Sequence, residues 1–382
     1  MALTNLTKPR ARWTTFKLKV AEAVSRTLYE KLLERVTARD FGAVGDGVTN
    51  DTNAINAGLL FNGTLRLTKG TYLVDGVKVD TRQHLRFDAG AELRPSGNDV
   101  EVLKIQGDYC KVYDPNIKNP DGFTGCTGLA FTPRVAGEQV FQRYSHVYGI
   151  DIQDVDTAVV FQCGEHIAGL GSPSGCWYNV IHGGEIRNVI DGIVYKRGLK
   201  TLPASLDPAT TNRNTIYDVQ IHFYQRYGLH CEAGSDNWHY NVYAESPRNS
   251  GTAYEDLDVG YHIPYEDALG ATNPNQHNRF FGCGAEFTTT SVTNHHPSTE
   301  FYGWVGSRTD NDVWGDSWQI SGNDPSRNPI SSPLYWLENY TSGSAGKTVG
   351  QAQFYATHGI EFCGGSAANA TSVGSKFELF EK

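Results

Sequence analysis

The sequence is poor in several features that would each point it toward a familiar class. No run of about eighteen apolar residues occurs, which excludes a membrane-spanning helix and predicts no membrane insertion. The first ten residues, Met1 to Arg10, have no continuous apolar core, so they do not read as a secretory signal. Basic residues are not in excess: Lys+Arg total 33 against 42 Asp+Glu, a formal net charge of −9. That argues against a nucleic-acid partner, which would require a basic face. The seven cysteines are odd in number and form no C-x-x-C pair. They read as buried reduced thiols of a protein made in a cytoplasm, and no close ligand spacing suggests zinc. No metal or other cofactor is therefore expected. Methionine occurs once, whereas Gly (41), Tyr (20) and Phe (17) are plentiful, which points to a β-rich, turn-rich chain.

The most informative segment runs from Asp40 to Thr52, with glycines at 42, 45 and 47 and aspartates at 40, 46 and 51. Glycine permits positive φ, and aspartate can bond its own turn, so the segment predicts a tight self-bonded loop. Ala54, Ile55, Leu59 and Leu60 follow at helical spacing and predict a short capping helix. Such a helix can cover the open end of a stacked sheet. Thr68 to Val74 then reads as a strand.

Together, D-F-G-A-x-G-D-G-x-x-x-D and a downstream x-G-x-Y-x-V strand resemble the start of the pectate-lyase-like right-handed parallel β-helices. That superfamily includes bacteriophage tailspikes and many polysaccharide-cleaving enzymes. The resemblance covers about residues 38–74, so it speaks to fold and not to reaction. It implies an all-β, single-stranded right-handed parallel β-helix with a short N-terminal α-helical neck and a small β-rich C-terminal region. The expected divisions are 1–37 (arm and neck), 38–289 (β-helix) and 290–382 (C-terminal region).

Residues 1–13 read as an arm or docking peptide. Residues 14–36 read as a helix, because Val20, Val24, Leu28, Leu32 and Val36 recur every four residues. Its apolar stripe must pack on the end of the β-helix or on the same helix of neighbouring subunits. The resemblance favours the second arrangement, a homotrimer.

A repeat supports the β-helix independently. Val147, Ile152, Val155 and Val159 align with Ile181, Ile186, Val189 and Ile193 at an offset of 34. Ile216 and Ile221 continue the series, with Gly228-Leu229 closing one residue late. The segments 239–245 and 280–286 are looser copies. Repeats in this range signal a solenoid. Val74–Val79, Leu85–Leu93 and Val102–Val112 read as the first coils. Segments 113–140, 163–177, 197–213 and 246–277 read as excursions from one side, which could border a substrate groove. After about 290 the repeat fades among Trp304, Trp314, Trp318, Tyr335 and Trp336.

The alignment places Asp151, Glu185 and Gln220 at one position of three successive coils, each just before an inward Ile. Strand alternation points them outward, about 4.8 Å apart per coil. If the looser copies keep this register, Glu245 and Glu286 extend the column, and Glu185 and Glu245 flank Gln220 about 9–10 Å apart. Glycosidases use two carboxyl groups, about 5 Å apart for retention and about 6.5–9.5 Å for inversion. Glu185 and Glu245 are accordingly the candidate acid–base pair, with Asp151 next. Asp154, Asp156, Asp218 and Glu286 are further carboxylates of the same region. Gln220, His182, His222, Trp238 and Arg187 are the candidate substrate-binding residues. Outward acids on a β-helix are equally well ordinary solvated surface.

The ordered N-x-D, D-D, G-H-G and R-x-K motifs of the superfamily's polygalacturonases are absent, as is the acid cluster of pectate lyases. What the resemblance then implies is a tailspike in the virion tail, attached through its N-terminus to tail or adaptor proteins. It would recognise and cleave a bacterial surface polysaccharide by glycoside hydrolysis. A non-catalytic receptor-binding spike and a polysaccharide lyase are the alternatives.

Overall fold

The computed structural model describes residues 15–16, 26–27, 35–133, 141–162, 175–196, 211–232, 234–246, 259–263, 278–286, 290–294, 300–302, 305–306, 319–320 and 336–337; beyond 285 the description is of backbone alone. From residue 37 onward the chain winds into coils whose strands pair in parallel with the coils below and above. Three faces result, in the right-handed sense that parallel crossovers adopt.

The first face stacks Thr64–Leu67, His84–Phe87, Lys111–Tyr113, 146–148, 180–182, 215–217, Trp238–Tyr240, Arg279–Phe281 and Glu300–Tyr302. The second stacks Asp46–Asn50, Gly70–Val74, Ala91–Pro95, Asn116–Lys118, 151–153, 184–187, 219–222, Tyr243–Glu245, Gly284–Glu286, Val305–Gly306 and Trp336–Leu337. The third stacks Val77–Val79, Glu101–Ile105, Thr127–Phe131, Thr157–Gln162, 191–195, 227–231, Val259–Ile263, Thr290–Asn294 and Gln319–Ile320.

The opening segment folds as its residue types require. Asp51 accepts hydrogen bonds from the amides of Val44 (2.7 Å) and Gly45 (2.9 Å). Asp46 accepts from the amides of Val48 and Thr49, and these bonds hold its carboxyl below the ordinary aspartate range. Asp40 accepts from the amide of Thr37. Gly45 and Gly47 sit at φ 65° and 77°. The helix α1 (Thr52–Asn62) follows and buries Ile55, Gly58 and Leu59. Leu60, expected on the buried side, is 82% exposed, and Phe61 is 62% exposed. Four-residue spacing from Ile55 selects Leu59, and Leu60 lies about 100° further round the helix.

The register of the repeat is as aligned. Val147 pairs with Ile181, Ile152 with Ile186 and Val159 with Ile193. Ile186 then pairs with Ile221, and a register shift between Val189 and Asp191 makes the next strand close one residue late, Ile193 on Leu229. Inward side chains stack by type: Phe131, Phe161 and Tyr195 lie nearly parallel, with centroids 4.5 and 4.9 Å apart.

Corners are turned by left-handed residues. Between the first and second faces these are Asp114, Gly149, Gly183, Asp218, Asn241 and Gly282. Before the first face they are Arg82, Tyr109, Tyr144, Tyr178, Arg213 and Asp236. Beside this second column runs a buried polar ladder. The Asn179 amide donates to Asn214 Oδ1 (3.0 Å), that of Asn214 to Asn237 Oδ1 (3.0 Å) and that of Asn237 to Asn278 Oδ1 (3.1 Å). The side-chain amides of Asn179, Asn214 and Asn237 donate to the same three oxygens at 3.0–3.1 Å. Ser145 starts the ladder by donating its amide to Asn179 Oδ1.

Several expectations change. The predicted helix over 14–36 is interrupted, since Thr15–Phe16 and Arg26–Thr27 pair antiparallel; the rest of that stretch before residue 35 lies outside the described residues. A short isolated helix is marginal, and β-branched and aromatic residues suit strands. The 113–140 excursion contains strands of the second and third faces, Asn116–Lys118 and Thr127–Phe131. Parallel pairing also continues past 289, to Trp336–Leu337. Trp304, Trp314, Trp318 and Tyr335 lie outside the described residues.

The buried polar groups can be tested in two ways. Replacing Asn214 with Ala strands its partners on two coils, at about 1–3 kcal/mol per unsatisfied buried group. Denaturant unfolding should show a loss of that order. His239 is also buried, between Tyr195 Oη (2.8 Å from Nε2) and the carbonyl of Arg279 (3.3 Å from Nδ1), and burial drives its pKa down to about 3. An unfolded histidine takes up its proton near 6.5, so between those values the unfolded state binds more protons and stability falls as pH falls. The paired replacement Tyr195→Phe with His239→Phe should flatten the stability-versus-pH slope between about pH 6.5 and 3.

Candidate functional site

On the second face, outward residues form two adjacent columns. The first contains Asp151, Glu185 and Gln220, paired in register as the alignment required. Glu245 does not continue it. Tyr243 opposes Gln220, and Glu245 opposes His222, two residues further along the strand. The second column is therefore Gln153, Arg187, His222 and Glu245, and Glu286 pairs next with Glu245 in the backbone ladder. The looser copies keep the stack, but the strand on this face starts two residues earlier relative to its glutamate.

This displacement links the carboxylates more closely than one column would. Gln153 Nε2 donates to Asp151 Oδ1 at 2.7 Å. Arg187 lies 3.6 Å from Asp151 and 3.2 Å from Glu185. His222 Nε2 is 3.8 Å from Glu185, and its Nδ1 is 3.0 Å from Glu245. Acid and base thus alternate across four coils as Asp151, Arg187, Glu185, His222 and Glu245. All five side chains are between 24% and 39% exposed, which leaves them accessible to a ligand. One imidazole separates Glu185 from Glu245, an arrangement compatible with the about 6.5–9.5 Å spacing of inverting carboxyl pairs.

The other carboxylates act at corners. Asp154 and Asp218 adopt left-handed φ and accept hydrogen bonds from Asn188 and Asn241 of the next coil. Asp156 accepts the amide of Gly125 at 2.6 Å.

His182 and Trp238 lie on the first face, round the corner from this chain of acids and bases. There the sequence reading missed an aromatic ladder. Tyr113, Tyr148, His182, Tyr217, Tyr240 and Phe281 stack in order, with centroids 5.1, 4.7, 5.5, 5.0 and 4.8 Å apart. Each follows an inward residue (Val112, Val147, Ile181, Ile216, His239, Phe280), a regularity visible once the coils are aligned. Stacked rings contribute beyond their burial, and Arg86 caps the lower end, 4.7 Å from the Tyr113 centroid. His146 Nδ1 approaches His182 Nε2 at 3.2 Å, and burial lowers the pKa of both. Trp238 stands beside the ladder, 39% exposed.

No family model matches the chain. A stretch of 62 residues, 16% of this chain, is 44% identical to the tail spike protein of an Escherichia phage. The chain is a parallel β-helix protein with a stretch of tail-spike-like sequence. That stretch corresponds to 8% of the Escherichia phage protein's length. Among solved structures, a tailspike mutant of E. coli bacteriophage HK620, in complex with a pentasaccharide, is similar over 92% of this chain and 76% of its own, at TM-score 0.47 and 12% identity. ORF18 of Geobacillus virus E2 is similar over 75% of this chain and 60% of its own, at TM-score 0.44 and 13% identity.

Half-exposed ion pairs contribute at most about 1 kcal/mol to stability. The single changes Glu185→Gln, Arg187→Gln and Glu245→Gln should therefore each shift denaturant unfolding by no more than that, which allows their effect on function to be measured in folded protein.

Proposed function

We propose that this chain forms the glycan-recognising body of a phage tail spike. It binds a bacterial surface polysaccharide (O-antigen, capsule or exopolysaccharide) and cleaves it by glycoside hydrolysis. The observation that carries this reading is the alternating chain from Asp151 to Glu245, set beside an aromatic ladder on the adjoining face. In the reaction, one carboxylic acid of the Glu185–Glu245 pair protonates the departing glycosidic oxygen as its bond to the anomeric carbon breaks. The other takes a proton from the water whose oxygen bonds to that carbon. His222, in contact with both, returns the proton between them for the next turnover. Asp151 and Arg187 hold Glu185 in place, and Gln220 lies beside it in the ladder to bond sugar hydroxyls. His182 and Trp238 extend the contact around the corner, where ring and indole surfaces suit the apolar faces of sugars.

In the intact particle this body would sit in the virion tail as a homotrimer, joined through its N-terminus to tail or adaptor proteins. The second reading is a spike that binds without cutting. It is favoured by one observation: each carboxylate of the site already has a basic partner, as in a surface ion-pair network.

Incubation with lipopolysaccharide and capsule from a panel of bacteria, followed by glycan sizing, tests the proposal. Shortened chains without unsaturated uronic ends are expected, and Glu185→Gln and Glu245→Gln should each lower turnover by about 10²–10⁴. Unsaturated ends would make the protein a lyase and overturn the carboxylate roles. Tight binding without shortening would establish the non-catalytic spike.

A further inference from the structure

Beyond the opening segment and α1, four large apolar side chains are exposed among the described residues: Tyr109, Tyr144, Phe223 and Trp238. All but Trp238 also have a left-handed backbone, with φ between 56° and 59°. That region suits glycine, asparagine and aspartate, and a bulky residue there is an outlier that something else must stabilise.

For the tyrosines the stabilising contact is visible. Tyr109, Tyr144 and Tyr178 stack on one another, with centroids 5.2 and 5.1 Å apart, and Arg213 donates to the Tyr178 hydroxyl at 3.0 Å. Phe223 belongs to no such column. It turns the corner between the second and third faces, where the two coils below carry Asn188 and Asp154. Those two side chains bond each other, Asn188 Nδ2 donating to Asp154 Oδ1 at 3.1 Å. An asparagine at 223 would continue that polar column at less backbone cost. The chain instead places a phenyl ring there, 43% exposed.

The ring adjoins the candidate site. Phe223 directly follows His222, whose imidazole lies 3.0 Å from Glu245 and 3.8 Å from Glu185. The phenyl and imidazole centroids are 6.4 Å apart, with the planes tilted by 47°. The backbone is held on both sides by ladder pairing, His222 with Arg187 and Tyr224 with Val189, so the ring is positioned before any ligand arrives. A phenyl group carries neither charge nor hydrogen-bonding atoms, and what it offers a ligand is an apolar face. In a polysaccharide, the matching surface is the C–H face of a pyranose ring.

We propose that Phe223 is a sugar-stacking residue of the candidate site, a platform for the pyranose unit next to the one held between Glu185 and Glu245. The proposal rests on the reading of the chain as a glycan binder. It deepens that reading by naming a subsite and the uncharged sugar face that the subsite takes.

The test compares the full chain with Phe223→Asn and Phe223→Tyr in denaturant unfolding and in binding. The binding probes are oligosaccharides released by mild acid from the lipopolysaccharide and capsule of the bacterial panel. Phe223→Asn is expected to unfold at the same or a higher denaturant midpoint, because asparagine suits the left-handed backbone. It should nevertheless bind the oligosaccharides about tenfold more weakly. Where they are cut, the loss should appear in KM with kcat little changed. Phe223→Tyr keeps the ring and should keep the affinity. Unchanged affinity in Phe223→Asn, with the unaltered chain binding, would overturn the proposal and leave the wider reading standing. A lowered midpoint or a failure to fold would also overturn it, since packing would then be what retains the ring. No binding of any panel oligosaccharide by the unaltered chain would sink the wider reading, and the proposal with it.

Discussion

The register between successive coils is the constraint on which the rest of the structure depends. Each coil is too thin to bury its own inward side chains, so burial comes only from the coils above and below. A slip of one residue would turn every inward Ile or Val to solvent. The asparagine ladder from Asn179 to Asn278 fixes that register at one corner, because each side chain satisfies both the amide and the side chain of the coil below. All four side chains are fully buried, so a displaced coil would leave polar groups unpaired away from water. Stacked aromatic rings inside and outside the stack reinforce the same register.

Given that lock, the outer surface becomes a lattice in which one strand position recurs at each coil. Chemistry can then be placed by choosing a residue type at a fixed position. On the second face the result is a line of alternating acids and bases. On the first face it is a row of rings. On the third face a single bulge breaks the regularity and turns Arg226 onto Asp191. Each of the five ionisable groups from Asp151 to Glu245 comes from a strand and not from a loop, which favours a rigid arrangement over an induced one.

Much of this was legible in the sequence, for physical reasons. The Gly/Asp segment from 40 to 52 encodes its own hydrogen bonds, and the inward Ile and Val positions recur because they share one core. Asp151, Glu185 and Gln220 could be aligned because they adjoin those positions. Glu245 was placed in the wrong column because its coil is short: both faces pair with the coil below at an offset of 23 (Thr215 on Trp238, His222 on Glu245), whereas a place opposite Gln220 would need 25. The asparagines were also visible, each two residues before an inward residue (Ile181, Ile216, His239, Phe280), but polar residues at turns read as ordinary loop. Side-chain pairings such as Arg226 with Asp191 depend on a bulge that an offset of one residue signals without showing where it points. The helix expected over 14–36 rested on apolar spacing alone, and that pattern does not set a structure without a partner surface.

The most direct test of the account is a disulfide measurement of the register at the proposed site. One variant carries His222→Cys with Glu245→Cys, and a second carries Gln220→Cys with Glu245→Cys. Parallel strands in register place paired Cα atoms about 4.8 Å apart, close enough for a disulfide, while a two-residue offset does not. After mild oxidation, peptide mass spectrometry should find the 222–245 bond and not the 220–245 bond. A 220–245 bond formed in preference would restore the single acidic column and contradict the alternation of acids and bases on which the functional account rests.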